Sequence, residues 1–168
     1  MASKYPLSTH LKAFGIGIVV AVVGILAYIQ FGASASPSIA DSELPTVTVY
    51  SSPTCQCCSK WVDHLRANGF EVDKQNRNDM QQVKQHYNVP RELASCHTGV
   101  VGGYVVEGHV PADDIKRLLA EQPSVAGVTV PGMPVGSPGM EQGNQQDPYN
   151  VLTFTQQGNA NVFARYNQ

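Results

Sequence analysis

The sequence predicts an α/β fold whose elements run β-α-β-α-β-β-α, with an extra C-terminal β-hairpin and one N-terminal transmembrane or signal helix in front. Three observations carry this. Thr46-Val47-Thr48-Val49-Tyr50 is a β-branched run of strand length, and such residues pack well on a buried, pleated surface. Cys58, Trp61, Val62 and Leu65 stand at i, i+3, i+4 and i+7, the apolar stripe of a helix. Gly102-Gly103 separates Val100-Val101 from Tyr104-Val105-Val106, a two-residue hairpin signal.

Taken in order, the first strand is followed by Pro53-Thr54, which turns the chain, and the first helix covers Cys55 to Asn68 with Gly69 as its stop. Phe70 to Lys74 alternates apolar and polar, a second strand. Asn78 or Asp79 caps a short helix that carries Met80, Val83 and Tyr87 on one face and ends at Asn88 and Pro90. After the hairpin, Pro111 suits a first helical turn. Asp113 and Asp114 favour the positive helix end, and Ile115, Leu118 and Leu119 form the stripe. This is the order of a thioredoxin-like layer. Val151–Phe154 and Val162–Tyr166 form the closing hairpin around Gly158-Asn159.

The chain divides into residues 1–33, a signal peptide or membrane anchor, residues 34–45, a small polar linker, and residues 46–168, the thioredoxin-like α/β domain. Ala13 to Phe31 is apolar except for Gln30. As a helix it measures about 28 Å, enough for a hydrocarbon core of about 30 Å. Lys4 and Lys12 precede it and keep the N-terminus in the cytoplasm. Ala33-Ser34-Ala35 and Ser38-Ile39-Ala40 both fit a cleavage site. Cleaved or retained, the segment delivers the domain to the periplasmic side, with residues 13–31 in the membrane if uncleaved. The net charge is −2 and no Lys/Arg cluster occurs, which argues against a nucleic-acid partner held through phosphates.

Of four cysteines, three fall within four residues: Cys55, Cys57 and Cys58. They lie where the first strand enters the first helix. There unpaired N–H groups and the helix dipole favour thiolate, which is both the nucleophile and the metal ligand. Cys55 and Cys58 make a C-x-x-C, and a redox pair has no need of Cys57. Three close sulfurs suit a soft metal. Cys96 precedes the hairpin's first strand, and in this topology that strand start faces the first helix's N-terminus. Its sulfur is therefore expected within about 4 Å of the triplet, the separation that one tetrahedral ion allows. Two structural disulfides and a thiol–disulfide oxidoreductase acting through Cys55 and Cys58 remain open alternatives.

His97 adjoins Cys96, but strand neighbours point to opposite faces, so it is a ligand or lies outside the ligand set. His109 reads as a hydrogen-bonded loop residue, and His64 and His86 as solvated. Pro131-Gly132-Met133 repeats as Pro138-Gly139-Met140. Thioether sulfur selects Cu(I), so Met133 and Met140 are auxiliary ligands if the loop folds back to the cysteines, and loop packing if it does not.

The strings SPTCQCCSKWVDHLRANGF, SCHTGVVGGYVVEGHVPADDIKRLL and PGMPVGSPGM resemble the bacterial family called domain of unknown function 411. The resemblance implies a periplasmic metal-binding protein with a thioredoxin-like core, linked in some members to copper resistance. Its usual C-G-C-C string has Gln56 at the second place here, which removes no ligand.

The expected function is thus copper binding in resistance, storage or delivery. Cys55, Cys57, Cys58 and Cys96 supply thiolates, with His97, Met133 and Met140 as auxiliaries. Cu(I) is preferred and zinc is possible. The partners are the metal ion and other periplasmic copper-handling proteins. A binding protein is favoured over an enzyme; the enzyme alternative is the disulfide oxidoreductase.

Overall fold

Seven strands form one mixed sheet in the order β2-β1-β3-β4-β5-β6-β7 in the computed structural model, which describes residues 44–168. They are β1 (Val47–Ser51), β2 (Val72–Asn76), β3 (His97–Val101), β4 (Tyr104–Glu107), β5 (Gly127–Thr129), β6 (Tyr149–Phe154) and β7 (Ala160–Tyr166). The helices are α1 (Gln56–Ala67), α2 (Met80–His86) and α3 (Ala112–Glu121), with a 3₁₀ turn at Arg91–Leu93. The β-α-β-α-β-β-α order and the closing hairpin are as expected. The expected membrane or signal segment at 13–31 and most of the linker lie outside the described residues. Among the described residues no helix is long and apolar enough to cross a membrane.

The extra strand β5 is the main departure. It pairs parallel to β4 and antiparallel to β6, so the C-terminal hairpin continues the sheet. Its three residues are all buried, and Gly127 is placed so that a Cβ would collide with the Val105 carbonyl oxygen. A three-residue strand buried on both faces has no alternation for a periodicity argument to find. Strand β2 begins two residues later than its alternation predicts, because parallel pairing with β1 sets Val47 opposite Val72.

Neighbours on a strand face opposite ways, and Val105 and Val106 separate two cores accordingly. The larger contains Val47, Val49, Trp61, Val62, Leu65, Val106, Ile115, Leu118, Val128 and Val151, so it unites α1, α3 and one sheet face. The smaller contains Val89, Leu93, Val105 and Phe154. Each such side chain, fully buried, contributes about 1.5–3 kcal/mol. Gly102 and Gly103 both have positive φ, 55° and 85°, the conformation a tight hairpin of this twist requires. The turn thereby sets the β3–β4 register, Thr98 opposite Glu107 and Val101 opposite Tyr104.

His64 departs from the solvated position expected of it. From α1 its Nε2 accepts the Ala112 N–H at 3.1 Å, so it satisfies a free donor at the start of α3. Burial lowers its pKa, against smaller opposing effects of Glu141 and Asp113. Only the neutral ring can accept that bond. With the folded pKa below the ordinary 6.5, this stabilisation is complete above the unfolded value and is lost as pH falls through the lowered one. The thermal midpoint is expected to fall on acidification below about pH 6.5. His64→Gln, which offers an amide oxygen to the same N–H, flattens that slope. An unchanged slope would show that His64 takes no part in it.

Candidate metal centre

The turn from β1 into α1 makes Cys55 the N-cap of the helix, and its sulfur accepts the Cys58 N–H at 3.4 Å. Cys55 and Cys58 are joined by a disulfide with Cα atoms 5.4 Å apart, while Cys57 and Cys96 are free thiols. The four thiolates expected from the sequence are therefore available together only after that bond is reduced. Cys57 Sγ lies 3.5 Å from Cys55 Sγ and 3.9 Å from Cys96 Sγ, so Cys96 lies within the separation the topology argument required. All four sulfurs fall within 4.8 Å of one another.

A second set shares Cys96. The sulfur of Cys96, His97 and His109 also lie within 4.8 Å, with His97 Nδ1 at 3.2 Å and His109 Nε2 at 3.1 Å from the sulfur. His97 is fully buried, its ring tilted against Trp61 with centroids 4.3 Å apart. Its neighbourhood to Cys96 does arise at the end of a strand, where alternation no longer separates adjacent side chains. Its Nε2 is buried with no hydrogen-bond partner, and burial holds its pKa well below the ordinary value. Buried polar atoms are rarely left so.

His109 has a fixed tautomer. Its Nδ1 lies 2.8 Å from the Pro138 carbonyl oxygen, which only accepts, so Nδ1 carries the proton. Burial lowers the ring's pKa, and the neutral ring then presents the Nε2 lone pair to Cys96. A second nitrogen held by a carbonyl is the usual support of a metal-ligating histidine. Reading His109 as a loop residue with a hydrogen bond found that bond and missed the nitrogen on the other side. The signal was present in the hairpin: the register set by Gly102-Gly103 places His109 across from Cys96. Cys96 itself is a thiol pushed up to about 12 by burial and then by Cys57.

The Pro131–Met140 segment packs onto these elements through its backbone. Ser95 Oγ donates to Gly132 O, and Pro138 O takes His109. At Gly139, φ is +85° and a Cβ would meet Trp61 N at 2.8 Å and Cys57 O at 2.9 Å. Only glycine lets the loop come this close to the first turn of α1. Met133 is 53% exposed and Met140 is half-buried. His86 is exposed against Tyr87.

Sulfurs and neutral imidazoles without carboxylates make a soft donor set, matched to Cu(I) or Zn²⁺ and poorly to Ca²⁺ or Mg²⁺. With the unpartnered His97 nitrogen, the residues present fit such an ion.

The family model described as "Protein of unknown function, DUF411" matches residues 93–140, which hold Cys96, His97, His109 and both methionines. No curated protein matches the chain. Two solved structures do, both described as copper resistance protein copG, one as Form 2 and one as Form 1. Each is 49% identical. The alignments cover 74% of this chain with 99% and 98% of those chains, at TM-scores of 0.71 and 0.70. The 49% identity extends over nearly the full length of these neighbours and the fold is shared, so the chain belongs to the DUF411 family.

Proposed function

We propose that this chain is a copper-binding protein of the periplasmic side, acting in copper resistance, storage or delivery and holding Cu(I) through clustered thiolates on a thioredoxin-like domain. The observation that carries the reading is the convergence of four sulfurs and two histidines around Cys96, in a family whose solved neighbours are described as copper resistance proteins. Cys55, Cys57, Cys58 and Cys96 are the thiolate ligands of the reduced protein. His97 and His109 extend the set, and Met133 and Met140 supply weaker thioether ligands on the adjoining loop. Delivery across the membrane falls to residues 13–31, as signal or anchor.

The disulfide Cys55–Cys58 favours a second reading, a thiol–disulfide oxidoreductase acting on other periplasmic proteins. The two are linked chemically: two electrons and two protons convert the disulfide to two thiols and complete the four-sulfur set.

Titration of the reduced full chain with Cu(I) against a chromogenic chelator tests the proposal. Tight binding is expected, and it weakens when Cys55 and Cys58 are both replaced by Ala. Insulin-reductase turnover without retained copper would support the oxidoreductase, and neither result would leave the cysteines structural.

A further inference from the structure

Beside the cluster the fold buries an ion pair that touches no sulfur. Glu107, the last residue of β4, is fully buried. Its Oε1 accepts from the Lys84 ammonium of α2 and from the Ser95 N–H at 2.7 Å, and its Oε2 accepts from the Thr98 hydroxyl at 2.7 Å. Lys84 Nζ also reaches Thr98 Oγ1 at 3.1 Å. Burying such a pair carries a desolvation penalty that apolar residues of similar volume would avoid, so stability alone does not account for it.

Its placement does. Ser95 immediately precedes Cys96, and Thr98 follows His97. Glu107 stands two residues before His109, and the Gly108 N–H donates to His97 O at 3.1 Å. One carboxylate thus grips the chain on both sides of Cys96-His97 and belongs to the strand that leads into His109. Ser95 passes the restraint on, because its hydroxyl donates to Gly132 of the methionine loop.

We propose that Glu107 is a positioning residue for the cluster: its carboxylate, balanced by Lys84, clamps Ser95 and Thr98 and so keeps the Cys96 sulfur in reach of both Cys57 and His109. The purpose of this clamp rests on the metal-binding reading, but the positioning itself is a property of the metal-free protein. Group placement of this kind governs rate steeply, since a misplacement of about 1 Å can cost on the order of 10²-fold.

The test uses the full chain with the Cys55–Cys58 disulfide formed and Cys57 and Cys96 free. Diamide oxidises two thiols to a disulfide and is itself reduced to the hydrazine. The rate at which it joins Cys57 to Cys96, followed by peptide mass spectrometry, reports their alignment. In the double variant Lys84→Met, Glu107→Leu both charges go and volume stays, but the Ser95 N–H and the Thr98 hydroxyl lose their acceptor, so the thermal midpoint falls and the rate is measured well below it. The crosslinking rate is expected to fall about tenfold or more. A folded double variant that crosslinks at the parental rate overturns the proposal. Should that variant not fold, two further changes decide. Lys84→Met, Glu107→Gln removes both charges but keeps an acceptor for the Ser95 N–H and retains the parental rate, whereas Thr98→Val loses one side of the clamp and slows the reaction about threefold; equal rates for the two overturn the proposal. A parent protein that fails to bind Cu(I) overturns the metal reading and leaves this rate comparison intact.

Discussion

If the chain binds Cu(I) as proposed, Cys96→Ala is expected to lower the affinity of the fully reduced chain by on the order of 10²- to 10³-fold, the largest loss of any single cysteine replacement. A structural zinc site in a zinc-finger peptide is worth about 10–16 kcal/mol in apparent binding free energy, so one of its four ligands accounts for roughly 2.5–4 kcal/mol. Cys96 is singled out by geometry. Its sulfur lies 3.9 Å from Cys57 and 3.1 Å from His109 Nε2, and it belongs to both ligand sets. Removing it takes a thiolate from the cysteine set and separates that set from the histidines. Cys57→Ala leaves Cys96, His97 and His109 together and is expected to cost less. Cys96 is only half-buried, so its loss lowers stability by about 1 kcal/mol, and the two effects separate cleanly. Competition titrations of both variants, with thermal melts of the apo proteins, provide the measurement. Equal affinities for the two variants would remove Cys96 from its place at the centre of the site.

The second large effect falls on stability. Trp61→Ala is expected to destabilise the protein by about 3–5 kcal/mol, the usual cost of a buried Trp truncation. The indole is fully buried in the larger core, donates Nε1–H to Val110 O at 2.8 Å, and packs at a tilt against His97 with ring centroids 4.3 Å apart. Its ring also lies under Gly99, where a Cβ would meet it at 3.3 Å. One side chain from α1 thus braces the β3 strand and the residue that follows His109. Trp61→Phe restores most of the buried area but leaves the Val110 carbonyl unpaired, which costs about 1–3 kcal/mol. Urea unfolding of the two variants checks both figures. A loss below about 1 kcal/mol for Trp61→Ala would mean that the core closes over the gap, which a packed interior of this kind does not readily do.

Much of this was legible in the residues because it is local. The stripe of Cys58, Trp61, Val62 and Leu65 is the buried face of α1, since a helix repeats every 3.6 residues whatever surrounds it. The Gly102-Gly103 turn is set by the φ values only glycine adopts freely. The clustering of Cys55, Cys57 and Cys58 at a helix start follows from the same local rules. Even the approach of Cys96 follows from element order, because a strand entering the sheet beside β1 begins where β1 ends.

Other features needed the folded chain. Strand β5 exists because β4 offers Val105 to Glu107 as a free edge and Gly127 fits against it without a side chain; nothing in its own three residues marks a strand. The disulfide state of Cys55 and Cys58 depends on the distance between two sulfurs in a particular turn, whereas C-x-x-C spacing allows metal and disulfide alike. His109 became a candidate ligand through a hydrogen bond to Pro138, a residue distant in sequence, and His64 became a cap for α3 across a helix–helix contact. The sequence by itself determined the donor atoms and the periodic elements that carry them, because these depend on residue type and near neighbours. Tertiary structure alone decided which nitrogens face the sulfurs, which ring tautomer they hold and which buried carboxylate keeps them there, because each depends on contacts between segments that no local rule places together.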